Sequence, residues 1–185
     1  AVRRIIEGVD ALVVLDEAYM DFWDQSLLEE AGRYDNLIVL KTMSKAVGAA
    51  ALRLGFAVTT PTLANALRAA KSPYNVNSLS AAVGEVLYSH PDYLAACRAK
   101  IVASRDALYR GLLPLCQSAG WRMADSFTNF FYIETAEAEE VFAFLKKAGI
   151  LVRCFDGALR ITTGNEAENA ALLSGLRAYL NEKGV

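Results

Sequence analysis

The sequence predicts an α/β fold class: a parallel-sheet domain over residues 1–90, then a small α+β domain over residues 91–185 that includes a long linking helix. Three observations carry this expectation. Runs rich in apolar residues at 11–15, 36–40 and 55–59 resemble strands of a buried sheet, the first of them continuous enough to be covered on both faces. A short helical pattern separates the first two runs, and strand–helix–strand order favours parallel pairing. After Gly120 short strand patterns and helices alternate in a different texture.

In chain order, Val2, Ile5, Ile6 and Val9 follow helical spacing with no cap before them, so the sequence is expected to start inside a helix that Gly8 ends. Ala11–Leu15 is the first strand, closed by Asp16-Glu17; Ser26–Gly32 is a short helix, Asn36–Leu40 the second strand and Gly55–Thr59 the third. Thr60-Pro61 starts another helix, because proline is pre-organised for a first turn. Ser72–Asn77 is a polar linker, and from Ser78 to about Ser118 the pattern is helical, with Pro91 opening the long second helix. Leu94, Cys97, Ile101, Leu108, Leu112 and Leu115 make its apolar stripe. Strands are expected at Asn129–Ile133, Ile150–Arg153 and Leu159–Thr162, with a helix near Glu137–Lys147 ended by Gly149. Asn165 with Glu168 has the spacing of a capping box for the last helix. Phe127, Phe130, Phe131 and Tyr132 are expected in the core, not as a stacking platform.

Composition bounds the function. With 54% apolar and 22% charged residues in 185, disorder is excluded. A net charge of −2 with dispersed basic residues offers no footprint for nucleic acid. No apolar run reaches the roughly 18 residues of a membrane helix, since Arg53 interrupts the Ala46–Val58 stretch. Glu7 and Asp10 fall where a secretory signal would be apolar, so no membrane role and a cytoplasmic location are expected. Cys97, Cys116 and Cys154, odd in number and far apart, fit reduced, buried thiols better than a disulfide framework or zinc site, and no metal site is expected. The lone His90, beside Pro91, is read as a surface residue.

The chemistry-bearing residues lie where an α/β sheet puts its ligands, beyond the carboxyl ends of the strands. Ser44-Lys45 follows the second strand and Arg53 returns before the third. An amine, a hydroxyl and a guanidinium fork there can converge on a phosphorylated carbonyl compound, though solvated loop charges would give the same pattern. Asp16, ending the first strand, can accept a hydrogen bond from a protonated pyridine nitrogen, and Tyr19 can bond a ring 3-oxygen; a turn cap and a core phenol are the competing readings.

The ordered array Asp16-Glu17-Ala18-Tyr19, Ser44-Lys45-Ala46, Leu52-Arg53-Leu54-Gly55-Phe56, Pro73-Tyr74-Asn75-Val76-Asn77, Thr128-Asn129-Phe130, Gly149-Ile150-Leu151-Val152-Arg153 and Arg160-Ile161-Thr162-Thr163-Gly164 resembles histidinol-phosphate aminotransferase, of the class I and II aminotransferases of fold type I. The resemblance implies pyridoxal 5′-phosphate as cofactor and an incomplete cofactor-binding large domain. By position, Lys45 matches the catalytic lysine; Asp16, Tyr19, Ser44 and Arg53 match cofactor ligands; and Arg160, Arg153 and Asn129 match substrate-binding residues. It further implies small amine and 2-oxo acid substrates and a homodimer.

Two departures stand out. The family's glycine between the lysine and the arginine is replaced within Ala49-Ala50-Ala51, which is tolerable unless that residue needs positive φ. The half that precedes Asp16 in the family, with its glycine-rich phosphate turn and its ring-stacking aromatic, cannot be placed in residues 1–15. The chain is therefore expected to be a carboxyl-terminal portion, not competent in transamination alone. Two alternatives remain: a threonine-phosphate decarboxylase or another fold type I enzyme using the same lysine, and a non-catalytic fragment or self-association module.

Overall fold

The computed structural model describes residues 1–184. The chain divides into two compact units, Ala1–Arg98 and Ala99 onward, and the division lies within the longest helix.

In the first unit, helix α1 (Val2–Gly8) leads into strand β1 (Val13–Asp16), a 3-10 segment (Leu28–Arg33), strand β2 (Leu37–Thr42) and strand β3 (Gly55–Val58). Helix α2 (Pro61–Ala70) has Pro61 in its first turn, α3 (Ser78–Tyr88) is capped by the Asn77 side chain, and α4 (Pro91–Ala119) begins at Pro91 as expected. The expected helix at 26–32 is a 3-10 segment, since so short a stretch hardly repays the cost of nucleating an α-helix.

The sheet order is β1-β2-β3. β1 and β2 pair in parallel, Asp16 lying opposite Leu40, but β3 returns antiparallel to β2. The parallel pairing expected from strand–helix–strand order is present between β1 and β2, and the antiparallel β3 makes the sheet a mixed one. Residues 43–54 hold only a 3-10 turn, Ala50–Leu52, and cannot carry the chain back to the other end of the sheet as a crossover helix would.

One face of this sheet packs Leu37 and Val39, with Val13, Leu15 and Val58, against Ile6, Leu27 and Ala31. Asn36 ties α1 to β2 by donating from Nδ2 to the carbonyls of Ile6 (2.9 Å) and Ala11 (3.1 Å). β1 is not covered on both faces, because its residues alternate half-buried and exposed and Val14 is 56% exposed.

The second unit holds an antiparallel sheet of order β4-β5-β7-β6, made of β4 (Arg122–Met123), β5 (Phe130–Glu134), β6 (Arg153–Phe155) and β7 (Ala158–Thr162). Helices α5 (Ala138–Lys147) and α6 (Glu166–Lys183) and the end of α4 pack Leu108, Leu112, Val141, Leu145 and Leu176 against Phe131, Ile133, Leu159 and Ile161. The capping box is present: Asn165 Oδ1 accepts from the Glu168 N–H (3.0 Å), and Glu168 Oε2 accepts from the Asn165 N–H (2.8 Å).

The expected strand at 150–153 lies further on, at Arg153–Phe155. Gly149 (φ 79°) ends α5, and the Ile150 N–H donates to the Leu145 carbonyl (2.9 Å), so Ile150 belongs to the helix terminus. Asp156-Gly157, with Gly157 at φ 68°, closes the β6–β7 hairpin and sets its register. Of the four aromatics expected in the core, only Phe131 is fully buried, since alternation along β5 turns Tyr132 outward, and Phe127 lies before the strand and exposed.

The three thiols are free, but only Cys116 is buried; Cys97 and Cys154 are half-buried, which corrects the expectation for those two. His90 is exposed.

Leu176 has no solvent exposure, and Leu176→Ala should cost about 2–5 kcal/mol, read as a fall in the denaturant midpoint. Burial pushes the Cys116 thiol up to about 11. At pH 8 a thiol reagent should therefore label Cys97 and Cys154 in the folded protein and Cys116 only after denaturant is added; rapid Cys116 labelling in native buffer would contradict the packing of α4.

Candidate functional site

The parallel register of β1 and β2 aligns their carboxyl ends. Asp16 ends β1 opposite Leu40, and the Glu17 N–H donates to the Leu40 carbonyl (3.0 Å). β2 then delivers Thr42 and the Ser44-Lys45 turn to the same edge of the sheet.

That turn is fastened on both sides. Met43 is fully buried, its N–H donates to the Leu54 carbonyl (3.1 Å), and its carbonyl accepts from Ala49 (2.9 Å). Lys45 accepts at its carbonyl from the Gly48 N–H (3.0 Å), and the Ser44 N–H donates to Thr42 Oγ1 (3.1 Å). Helix α3 lies close against this segment at Gly84, where a Cβ would collide with Leu54 Cδ2.

Asp16, Ser44, Lys45 and Arg53 line one cleft of about 610 Å³, together with Thr42 and Gly55. Lys45 Nζ lies 5.1 Å from the centroid of the Tyr19 ring. Asp16 Oδ1 accepts from the Ala18 N–H (2.9 Å), which holds the carboxylate at the strand end. Arg53 Nη1 donates to the Ala50 carbonyl (3.0 Å), and Arg53 itself adopts φ 54°. The five first-unit residues picked from the sequence are therefore neighbours: four share the cleft, and Tyr19 lies beside its lysine.

The alanine tract raises no conflict with the backbone. The positive-φ positions of this segment are Gly48 (φ 73°) and Arg53, while Ala50 lies in the 3-10 turn and Ala49, just before it, has φ −106°.

The second unit carries Asn129, Arg153 and Arg160. Arg153 and Arg160 are direct partners across β6 and β7, and Tyr132 is opposite Arg160 on the other side, so these three side chains share one sheet face. The Arg160 guanidinium lies 5.2 Å from the Phe130 ring centroid, and its buried Nε has no hydrogen-bond partner. Two guanidiniums directly opposite repel each other, and a buried unpaired donor is costly, so this face is suited to an anion. Asn129 is half-buried, and its carbonyl accepts from the Thr163 N–H (2.8 Å), fixing the start of β5 beside the end of β7.

A buried group beneath the cleft was not singled out in the sequence. Glu17 is 1% exposed and accepts from Ser26 Oγ (2.6 Å) and the Leu27 N–H (2.7 Å), with Lys41 Nζ 3.7 Å away. Period-two alternation was the available signal: with Asp16 outward, the next residue must point in.

The aminotransferase class I and II family model matches residues 1–176, nearly the whole chain. The chain belongs to that family. Histidinol-phosphate aminotransferase of Clostridium novyi is 38% identical over 94% of this chain and 49% of its own length. A putative aminotransferase structure from Burkholderia pseudomallei is 30% identical with a TM-score of 0.78, covering 91% of this chain and 52% of the other. The structure of histidinol-phosphate aminotransferase from Sinorhizobium meliloti in complex with pyridoxal-5′-phosphate has a TM-score of 0.79 at 24% identity, covering 96% of this chain and 53% of the other, and shares the fold. The chain thus spans about half the length of the aminotransferases it matches.

Gly48→Ala should destabilise the lysine turn by about 1–2 kcal/mol through its positive φ, whereas Ala51→Gly should change stability by less than about 1 kcal/mol. Paired denaturation curves check this, and a larger loss at Ala51 would show that the tract needs its methyl groups.

Proposed function

We propose that this chain carries the lysine side of a pyridoxal 5′-phosphate site and that its whole protein transaminates a phosphorylated amino alcohol or amino acid, as a histidinol-phosphate aminotransferase does. The observation that carries the reading is the single cleft lined by Asp16, Ser44, Lys45 and Arg53. Its donor set fits the cofactor: an amine for an aldehyde, a hydroxyl and a guanidinium for phosphate oxygens, and a carboxylate for a pyridinium N–H.

When bound, the cofactor supplies an aldehyde that condenses with amines and a ring that accepts the electron pair left at the substrate α-carbon. Lys45 Nζ would hold that aldehyde and later carry a proton between the substrate α-carbon and the cofactor C4′. Asp16 would keep the ring nitrogen protonated, which makes the ring a better electron sink. Ser44 and Arg53 would anchor the phosphate, and Tyr19 would bond the ring's 3-oxygen. Arg160, with its unpaired Nε, and Arg153 across the ladder from it would take the anionic groups of the substrate, and Asn129 would be a lesser contact near the substrate.

The reading further takes small amines and 2-oxo acids as substrates and a cytoplasmic homodimer as the working assembly. It is supported by the family match; among the described residues no helix is long and apolar enough to cross a membrane. Sedimentation of the full-length protein as a monomer would remove the dimer from this account.

Incubation of the chain with pyridoxal 5′-phosphate, borohydride reduction and peptide mapping should place the adduct on Lys45, with little turnover from these 185 residues alone. Adduct scattered over other lysines and absent from Lys45 would refute the assignment. Lys45→Ala should abolish the specific adduct. In the full-length enzyme Asp16→Asn should lower kcat by about 10²-fold or more, as expected when a group that stabilises developing charge is lost.

A further inference from the structure

At the cleft, whose lining includes Lys41, the first unit holds a charge cluster that the proposed chemistry does not use. Glu17 is buried, and its two carboxylate oxygens are taken by Ser26 Oγ and the Leu27 N–H. Lys41 Nζ lies 3.7 Å from the same carboxylate and donates to Asp21 Oδ1 at 2.5 Å. The Lys41 side chain is only 10% exposed and Glu17's is fully covered, so both charges sit where water screens them weakly. Such a pair adds little stability over an apolar replacement, but it is directional and costly to break from one side.

Its place in the chain is the informative part. Glu17 directly follows Asp16, and Lys41 lies between Leu40, the ladder partner of Asp16, and the Thr42–Lys45 turn. The pair therefore links the carboxyl ends of β1 and β2 at residues next to Asp16 and just before the Thr42–Lys45 turn. Pairing between β1 and β2 stops here, the last bond being Glu17 N–H to Leu40 carbonyl, although β2 stays paired with β3, and beyond that bond the Glu17–Lys41 contact is a side-chain link between the two strand ends.

We infer that Glu17 and Lys41 are positioning residues: their buried ion pair, braced by Ser26 and Asp21, sets the separation of Asp16 from Lys45 in the cleft. This rests on the proposed cofactor site for its functional meaning, though not for its structural content.

The test uses the full chain with Glu17→Gln, Lys41→Met, Lys41→Arg and the Glu17→Gln/Lys41→Met double variant. Hydrogen exchange of the cofactor-free protein is followed over residues 43–48 and 16–28. Pyridoxal 5′-phosphate affinity is then measured, with the pH midpoint of the bound chromophore's visible absorption. Glu17→Gln and Lys41→Met should each speed exchange at 43–48, weaken cofactor binding roughly tenfold and shift the spectral midpoint, with the double variant no worse than either single one. Lys41→Arg, which keeps the charge, should restore wild-type behaviour.

Loosening confined to 16–28, additive losses in the double variant, or Lys41→Arg failing like Lys41→Met would overturn the inference and leave Glu17 with a local structural role. Should Glu17→Gln fail to fold, the Met and Arg variants at Lys41 decide alone. Should the wild-type chain take no cofactor at Lys45, the proposed function falls, while the exchange measurements still decide whether the pair couples the two strand ends.

Discussion

The parallel pairing of β1 with β2 is the constraint on which the first unit depends. It sets Asp16 beside Leu40 and sends the chain into the Ser44-Lys45 turn at the same edge. Parallel strands expose their carboxyl ends together, and side chains from distant parts of the sequence meet there without a long loop. The antiparallel return of β3 then brings Arg53 back to that edge, which an all-parallel sheet would have sent elsewhere after so short a connection.

Two neighbouring carboxylates illustrate how position divides labour. Asp16 faces the cleft and caps its own turn, whereas Glu17 points inward and spends both oxygens on fixed partners. The outward group lines the cleft, and the inward one is committed to structure. In the second unit a comparable tension appears on the outer sheet face. Arg153 and Arg160 lie opposite each other among Phe130, Tyr132 and Phe155, while the inner face of the same strands is wholly apolar core. Like charges directly across a ladder are destabilising.

The two units also differ in how they are held. The second has a closed apolar core beneath a four-stranded sheet. The first buries one face of its sheet and leaves Leu12, Val14, Leu79 and Val86 exposed, and hydrogen bonds and the Glu17–Lys41–Asp21 charges hold the edge that carries the cleft.

Much of this was legible because it is local. Pro61 and Pro91 mark helix starts by their fixed φ, Asn165 with Glu168 marks another through a capping box, and the ordered array of Asp16, Lys45 and Arg53 carried the family. What escaped was non-local or depended on rival local signals: the direction of β3, the shift of the 150–153 strand once Ile150 joined the helix terminus, and the outward turn of Tyr132. By itself the sequence determined which residues could do chemistry and roughly which elements carry them, since side-chain type and short-range spacing are written in it. Only the tertiary structure decided that Asp16, Lys45 and Arg53 share one cleft and that Glu17 lies buried beneath it, because those relations arise from strand register and burial, which no short stretch of chain specifies.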